Sequence, residues 1–216
     1  MLKQAGARRA EKGADWLVAK AHRLSASSRL PLSATLTQVY QRLQRQCLSR
    51  NGYQKRVVQP PAVRRFWCDS GLGGLARWLR AAGYDALWHP RIDDDDLLRK
   101  SQATDRTILT TDSMLMERRV IRDCVIPALW LPPTLPIPQQ LEMVIAEFDL
   151  GLREPRCMSC GDELRRVDKD TVRDRIPPRT LRWLDEYYLC DRCHQLFWRG
   201  THWGRIEARL KAKARR

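Results

Sequence analysis

Four of the seven cysteines stand in two pairs with metal-binding spacing, Cys157-Met-Ser-Cys160 and Cys190-Asp-Arg-Cys193, with 29 residues between them. A two-residue gap lets both thiolates of one tight turn reach the same ion. Two such turns complete a tetrahedral site of four cysteines, for which Zn²⁺ is the expected ion. Four thiolates leave no open coordination position, so the expected role is structural: zinc holding a small ribbon. His194 follows a ligand and would be a spare. Cys47, Cys68 and Cys124 lack metal spacing and read as small apolar or unpaired thiols of a reducing compartment.

Aspartates form the second chemical set: Asp69, the run Asp93-Asp94-Asp95-Asp96, and Asp112. What makes them a set is the pattern of elements around them. Phe66 to Cys68 is a short apolar strand ending at Asp69. Leu72, Leu75, Ala76, Leu79 and Ala82 recur at helical spacing, and Gly83 closes that helix. A strand at Ala86–His89, a helix at Asp94–Ala103 and a strand at Thr107–Thr111 follow. Then come a short helix after Asp112, an apolar strand at Val125–Leu131 and a helix at Pro138–Phe148. Strands alternating with helices predict an α/β domain with a mainly parallel sheet.

In such sheets ligands bind outside the carboxyl ends of the strands. Asp69 and Asp112 each follow a strand directly, and the aspartate run lies just beyond another. One or two of the four successive acids suffice to cap a helix N-terminus. At least one of the others is therefore a candidate ligand. Converging carboxylates suit Mg²⁺ or Mn²⁺, and such a site suits phosphodiester hydrolysis.

Charge supports a polyanionic substrate. The net charge is +15, distributed as +12 over residues 1–65, −4 over 66–150, +2 over 151–204 and +5 over 205–216. Basic ends around a mildly acidic middle fit a nucleic-acid partner and a cation-binding centre. The chain divides into a basic arm at 1–63, an α/β domain at 64–150, a zinc ribbon at 151–204 and a basic tail at 205–216. The arm reads as two modest helices with apolar faces Leu17, Val18, Ala21, Leu24 and Leu36, Val39, Tyr40, Leu43. Ser25 to Pro31 is the break, and Val57–Pro61 is extended. No apolar run suits a membrane span, so no membrane partner is expected. The expected location is cytoplasmic; an Arg-rich, Ser-containing start makes mitochondrial the alternative, against which Glu11 and Asp15 count. Arg77 and Arg80 lie off their helix's apolar face and are candidate substrate contacts, together with His202 and Trp203. In Phe197–Trp203 the aromatic residues either finish the ribbon core or stack bases.

With these residues in view, the sequence resembles the Mut-seven C-terminal RNase family, a PIN-like nuclease fold carrying a zinc ribbon. The resemblance rests on Phe66-Trp-Cys-Asp69, the block Gly71 to Asp85, Asp94-Asp-Asp-Leu-Leu98, Arg106-Thr-Ile-Leu-Thr-Thr-Asp112, both cysteine pairs and Trp198-Arg-Gly-Thr-His-Trp203. It implies a PIN-like three-layer domain and a metal-dependent ribonuclease. Asp69 and Asp112 would be the primary carboxylates and one of Asp94 to Asp96 the middle acid, with Asp95 favoured. The implied partner is RNA, with the ribosome or a transfer RNA as further candidates. PIN-like nucleases often use a fourth acid, and Asp123 precedes the fourth strand instead of following it. The competing reading is a noncatalytic RNA- or ribosome-binding protein. A receiver-like phosphoacceptor would need a lysine after the last strand, and residues 125–150 contain none.

Overall fold

The structure is a computed structural model that describes residues 10–28, 30–50, 64–123, 125–200, 204 and 208. Four short strands, β1 (Arg65–Cys68), β2 (Asp85–Trp88), β3 (Thr107–Thr110) and β4 (Ala128–Trp130), form a parallel sheet in the order β2-β1-β3-β4. Successive strand residues point to opposite faces. Phe66, Cys68, Ala86, Leu109 and Leu129 therefore enter one core, while Trp67 and Ile108 enter another, joined by Leu87, Ala128 and Trp130. Both faces are covered, which is why the strands read as apolar runs without polar alternation.

On the first face α3 (Gly73–Ala81) and α7 (Ile137–Phe148) bury Leu75, Leu79, Leu141 and Val144. On the second, α4 (Asp94–Ala103), α5 (Ser113–Met116) and α6 (Arg119–Arg122) bury Leu97, Leu98, Leu115 and Ile121. The strand order explains this division. The chain steps from β1 outward to β2, then back past β1 to β3, and right-handed crossovers in opposite directions place their helices on opposite faces. The reversal creates a switch point between the carboxyl ends of β1 and β3.

The elements expected from the sequence are present, with changed bounds. Gly83 follows the α3 C-cap with a φ of 92°. The fourth strand is shorter than Val125–Leu131. Pro127 has no N–H for the ladder, so pairing begins with its carbonyl accepting from Ile108 N, and Val125 lies exposed ahead of it.

Upstream, α1 (Ala10–Ser28) and α2 (Leu32–Arg50) pack together over Ala21, Ala34 and Val39. Tyr40 packs against the second core, which attaches α2 to the sheet. Val18, expected on the apolar face, is exposed. The stretch 57–61 lies outside the described residues. No described helix is long and apolar enough to cross a membrane.

Downstream, β5 (Leu164–Val167), β6 (Tyr187–Cys190) and β7 (Leu196–Trp198) form an antiparallel sheet in the order β5-β6-β7. Its small core is Val172, Ile176 and Tyr187, with Leu181, Leu184 and Trp198 packed against it.

Candidate metal centres

The acidic centre is assembled at the switch point. Asp69 continues the β1–β3 ladder, its N–H donating to Leu109 O at 2.9 Å. The residue is only 8% exposed, and its carboxylate accepts from Ser70 N at 2.6 Å and from the Thr110 hydroxyl at 2.7 Å. That same Thr110 oxygen accepts from Asp112 N at 2.9 Å, so one buried hydroxyl links the two acid-bearing turns. Asp112 in turn caps α5 through Met114 N at 2.7 Å. Trp88 steadies the loop after β1 by donating from Nε1 to Ser70 O at 2.8 Å. Its ring lies where a Cβ on residue 73 would sit, 2.6 Å away, so Gly73 is what permits this contact.

The four-aspartate run resolves into four different environments. Asp93 is the N-cap of α4, accepting from Asp96 N at 2.8 Å. Asp96 pairs with Lys100 and Arg99, and these contacts, the Lys100 hydrogen bond foremost, hold its carboxyl below the usual range. Asp95, the favoured middle acid, has a side chain 80% exposed and pairs with Arg118. Asp94 instead faces the site: burial, then the charges of Asp112 and Asp69, push its carboxyl upward.

Of the run, Asp94 and not the expected Asp95 is thus the acid that lies toward Asp69 and Asp112. A signal for this lay in the helical period. Asp94 stands three, four and seven residues before Leu97, Leu98 and Ser101, all of them buried, whereas of the matching positions after Asp95 only Leu98 is buried and Arg99 and Gln102 are exposed. Thr110, which sequence reasoning left unassigned, was signalled only by its position two residues before Asp112.

No carboxylate stands in the fourth place. After β4 the chain runs Leu131-Pro-Pro-Thr134, and Asp123 is the C-cap of α6, paired with Arg119 and Arg122.

The sulfur centre is tighter. Cys157, Cys160, Cys190 and Cys193 hold their Sγ atoms within 4.8 Å of one another, the group drawn this close among the described residues. Two of the separations, Cys157 to Cys193 at 3.5 Å and Cys160 to Cys190 at 3.4 Å, approach the roughly 3.8 Å edge of a tetrahedron around zinc.

The two turns are built alike. Cys157 N donates to Asp162 O and Gly161 N to Cys157 O, just as Cys190 N donates to Gln195 O and His194 N to Cys190 O. Each turn needs a left-handed residue four past its first cysteine, supplied by Gly161 at φ 84° and His194 at φ 56°. His194 therefore shapes the second turn; the spare-ligand role is unnecessary. Burial pushes the Cys157 thiol up to about 12 and raises Cys160 as well. At Cys190 burial is outweighed by hydrogen bonding, led by the Cys193 backbone, and the thiol moves down. Elsewhere, burial pushes Cys68, next to Asp69, up to about 12 against the pull of Arg80, consistent with an inert core thiol.

Arg80 connects the sheet to this centre and is not a surface contact for substrate. Only 3% exposed, it donates from Nε to Ala86 O at 2.7 Å and from Nη1 to Met158 O and Ser159 O at 3.1 and 2.9 Å. Its own carbonyl accepts from Arg156 N at 2.9 Å. The knuckle thus covers the side of α3 that its sequence presents as polar. Arg77, one turn earlier, is exposed. Trp198 packs edge-on against Tyr187 with ring centroids 6.5 Å apart, which assigns it to the ribbon core. His202 and Trp203 lie outside the described residues.

No curated protein and no solved structure matches the chain. A family model does match, over residues 64–210, spanning the parallel sheet with its acids and the ribbon with its cysteines. An acid-lined switch point joined to a four-cysteine ribbon is the architecture of the matched region, and the chain belongs to the family of the Mut7-C RNAse domain, which suggests a nuclease-like role.

Proposed function

We propose that the chain is a metal-dependent ribonuclease that hydrolyses RNA phosphodiester bonds, with Asp69, Asp94 and Asp112 holding Mg²⁺ or Mn²⁺. The observation that carries this reading is the buried Thr110 hydroxyl that bonds both the Asp69 carboxylate and Asp112 N at the neighbouring ends of β1 and β3, with the upward push on Asp94 by burial and by Asp112 and Asp69 in support. Three carboxylates brought near one another, with Arg118 offsetting part of their charge, would offer oxygen ligands suited to a hard divalent cation. When bound, such an ion would polarise a phosphate oxygen and make a water a better nucleophile. The chain's own share is positional. Thr110 and Ser70 N fix the Asp69 carboxylate, and the same Thr110 oxygen fixes the turn bearing Asp112. Zn²⁺ on the four cysteines would act structurally. The basic arm at 1–63, the tail at 205–216 and exposed Arg77 would hold the RNA backbone, in a cytoplasmic setting.

The test is cleavage of a mixed RNA pool by the purified chain with Mn²⁺ or Mg²⁺, beside Asp69→Asn and Asp112→Asn. Cleavage that needs the metal and both acids is the expected result; cleavage surviving in both variants removes these residues from the site. The acid-free segment Leu131–Thr134 favours one second reading, a noncatalytic RNA-binding protein. Tight RNA binding without cleavage under any of these metals would establish it.

A further inference from the structure

The cations of the ribbon are mostly matched by acids. Arg165 pairs with Asp191 at 3.2 Å, Arg166 with Glu186 at 3.5 Å, Lys169 with Asp185 at 2.7 Å and Arg173 with Asp170 at 4.0 Å. One element between the two cysteine pairs departs from this pattern. The helix α8 (Pro178–Trp183), of sequence PRTLRW, carries no acid, and its Arg179 and Arg182 are exposed without an ion pair among the described residues. Beside them Trp183 is 83% exposed, the most exposed large apolar side chain among the described residues.

The orientation is set by packing. Leu181 and Leu184 lie against the ribbon core of Val172, Ile176 and Tyr187, so they take the inward positions. Tyr187 also anchors the end of the helix, its hydroxyl donating to Leu184 O at 3.1 Å. Trp183, between the two leucines, is left facing solvent, and Arg179 lies one helical turn before it. A bare indole on a helix held to the ribbon by Leu181 and Leu184, flanked by two guanidiniums without ion pairs among the described residues, has the makeup of a stacking platform for a polyanion.

We propose that α8 binds single-stranded RNA, with Trp183 stacking on a base and Arg179 and Arg182 contacting adjoining phosphates. The assignment of RNA rests on the ribonuclease reading; the platform itself rests on the exposed ring and the unmatched charges. A single strand is specified because stacking needs an unpaired base face, which a duplex withholds.

The experiment uses the full chain carrying Asp69→Asn to preserve the RNA, with fluorescence anisotropy on a labelled oligouridylate and on an abasic ribose-phosphate oligomer of equal length. Trp183→Ala should weaken oligouridylate binding about 5- to 150-fold. It should leave the abasic oligomer unchanged, and Trp183→Tyr should restore most of the loss. Arg179→Ala with Arg182→Ala should weaken both oligomers and reduce the slope of log affinity against log salt by about 1.4.

Unchanged oligouridylate affinity in Trp183→Ala, or equal loss on both oligomers, overturns the proposal. So does a switch from dimer to monomer in light scattering, which would assign Trp183 to a contact between copies. Gels of the same samples separate the two readings: cleavage persisting with Asp69→Asn faults the acidic site and leaves the platform's stacking result intact. An inert Asp69→Asn chain whose affinity ignores Trp183 faults only the platform.

Discussion

The acidic switch point and the cysteine ribbon both gather groups that repel one another when charged, and they do so by opposite constructions. Each cysteine pair comes from one turn, whose backbone hydrogen bonds fix the sulfurs locally. The acids come from the junctions after three adjacent strands, β2, β1 and β3, and two of them, Asp69 and Asp112, also cap the elements that follow. A closed set of four sulfurs suits holding. A looser set of carboxylates, two of them anchored by their own turns, would leave room for a substrate oxygen. The lesson is that ligand spacing in sequence separates a centre closed within its own turns from one that only the fold assembles, before any ion is considered.

The largest effect that would break this contrast is at the ribbon. Cys190→Ser removes a ligand from a site whose metal binding contributes on the order of 10 kcal/mol to folding. Elemental analysis should show loss of one zinc per chain, and hydrogen exchange should accelerate across the ribbon. Retention of both metal and protection would remove the structural role of the cysteines.

Next in size is the acidic centre. Asp112→Asn should lower RNA cleavage by about a thousandfold, several kcal/mol of transition-state stabilisation, while zinc content stays at its parent level. A parallel loss of zinc would show that the two centres are not separable in this way.

Between them stands Arg80, whose loss leaves three carbonyls of β2 and the first knuckle without their donor. Arg80→Met should reduce stability by about 2–5 kcal/mol in urea unfolding, against less than about 0.5 kcal/mol for exposed Arg77→Ala. Equal effects would undo the assignment of Arg80 as the link.

The smallest effect sharpens the choice of middle acid. The Asp94 carboxyl is raised, so the folded chain holds its proton more tightly than the unfolded chain does. Stability from this group is lost as pH climbs from the ordinary carboxylate range through the raised pKa, and its charge is a net cost at neutral pH. Without added Mg²⁺ or Mn²⁺, Asp94→Asn should raise the melting temperature slightly at pH 7 and leave it unchanged near pH 3. Asp95→Asn, losing only an exposed pair with Arg118, should move it little or downward. The reverse ordering would return the role to Asp95.

Much of this is legible in the residues. The knuckles follow from spacing alone, because both ligands of each lie on one turn. The alternation of strands and helices follows from hydrophobic period, and with it the location of Asp69 and Asp112 at one sheet edge. The departures share a cause. Arg80 reads as surface because a helix's own periodicity is silent about a neighbour arriving 78 residues later. Trp183 carries no local signal, because nothing in its neighbourhood distinguishes an exposed tryptophan from one that finishes a core, as Trp198 does. Asp94 and not Asp95 is turned toward Asp69 and Asp112 because the buried positions three, four and seven residues on belong to the face that Asp94 shares.

By itself the sequence determined the four-cysteine ribbon, the parallel α/β sheet and the family. These depend on interactions within one turn or one element, whose periods are written in adjacent residues. Only the tertiary structure decided which aspartate of the run lies toward Asp69 and Asp112, that Arg80 fastens the sheet to the ribbon, and which tryptophan remains open to solvent. Each of those is settled by what packs against a side chain from a distant part of the chain, and burial and charge proximity are properties of that packing.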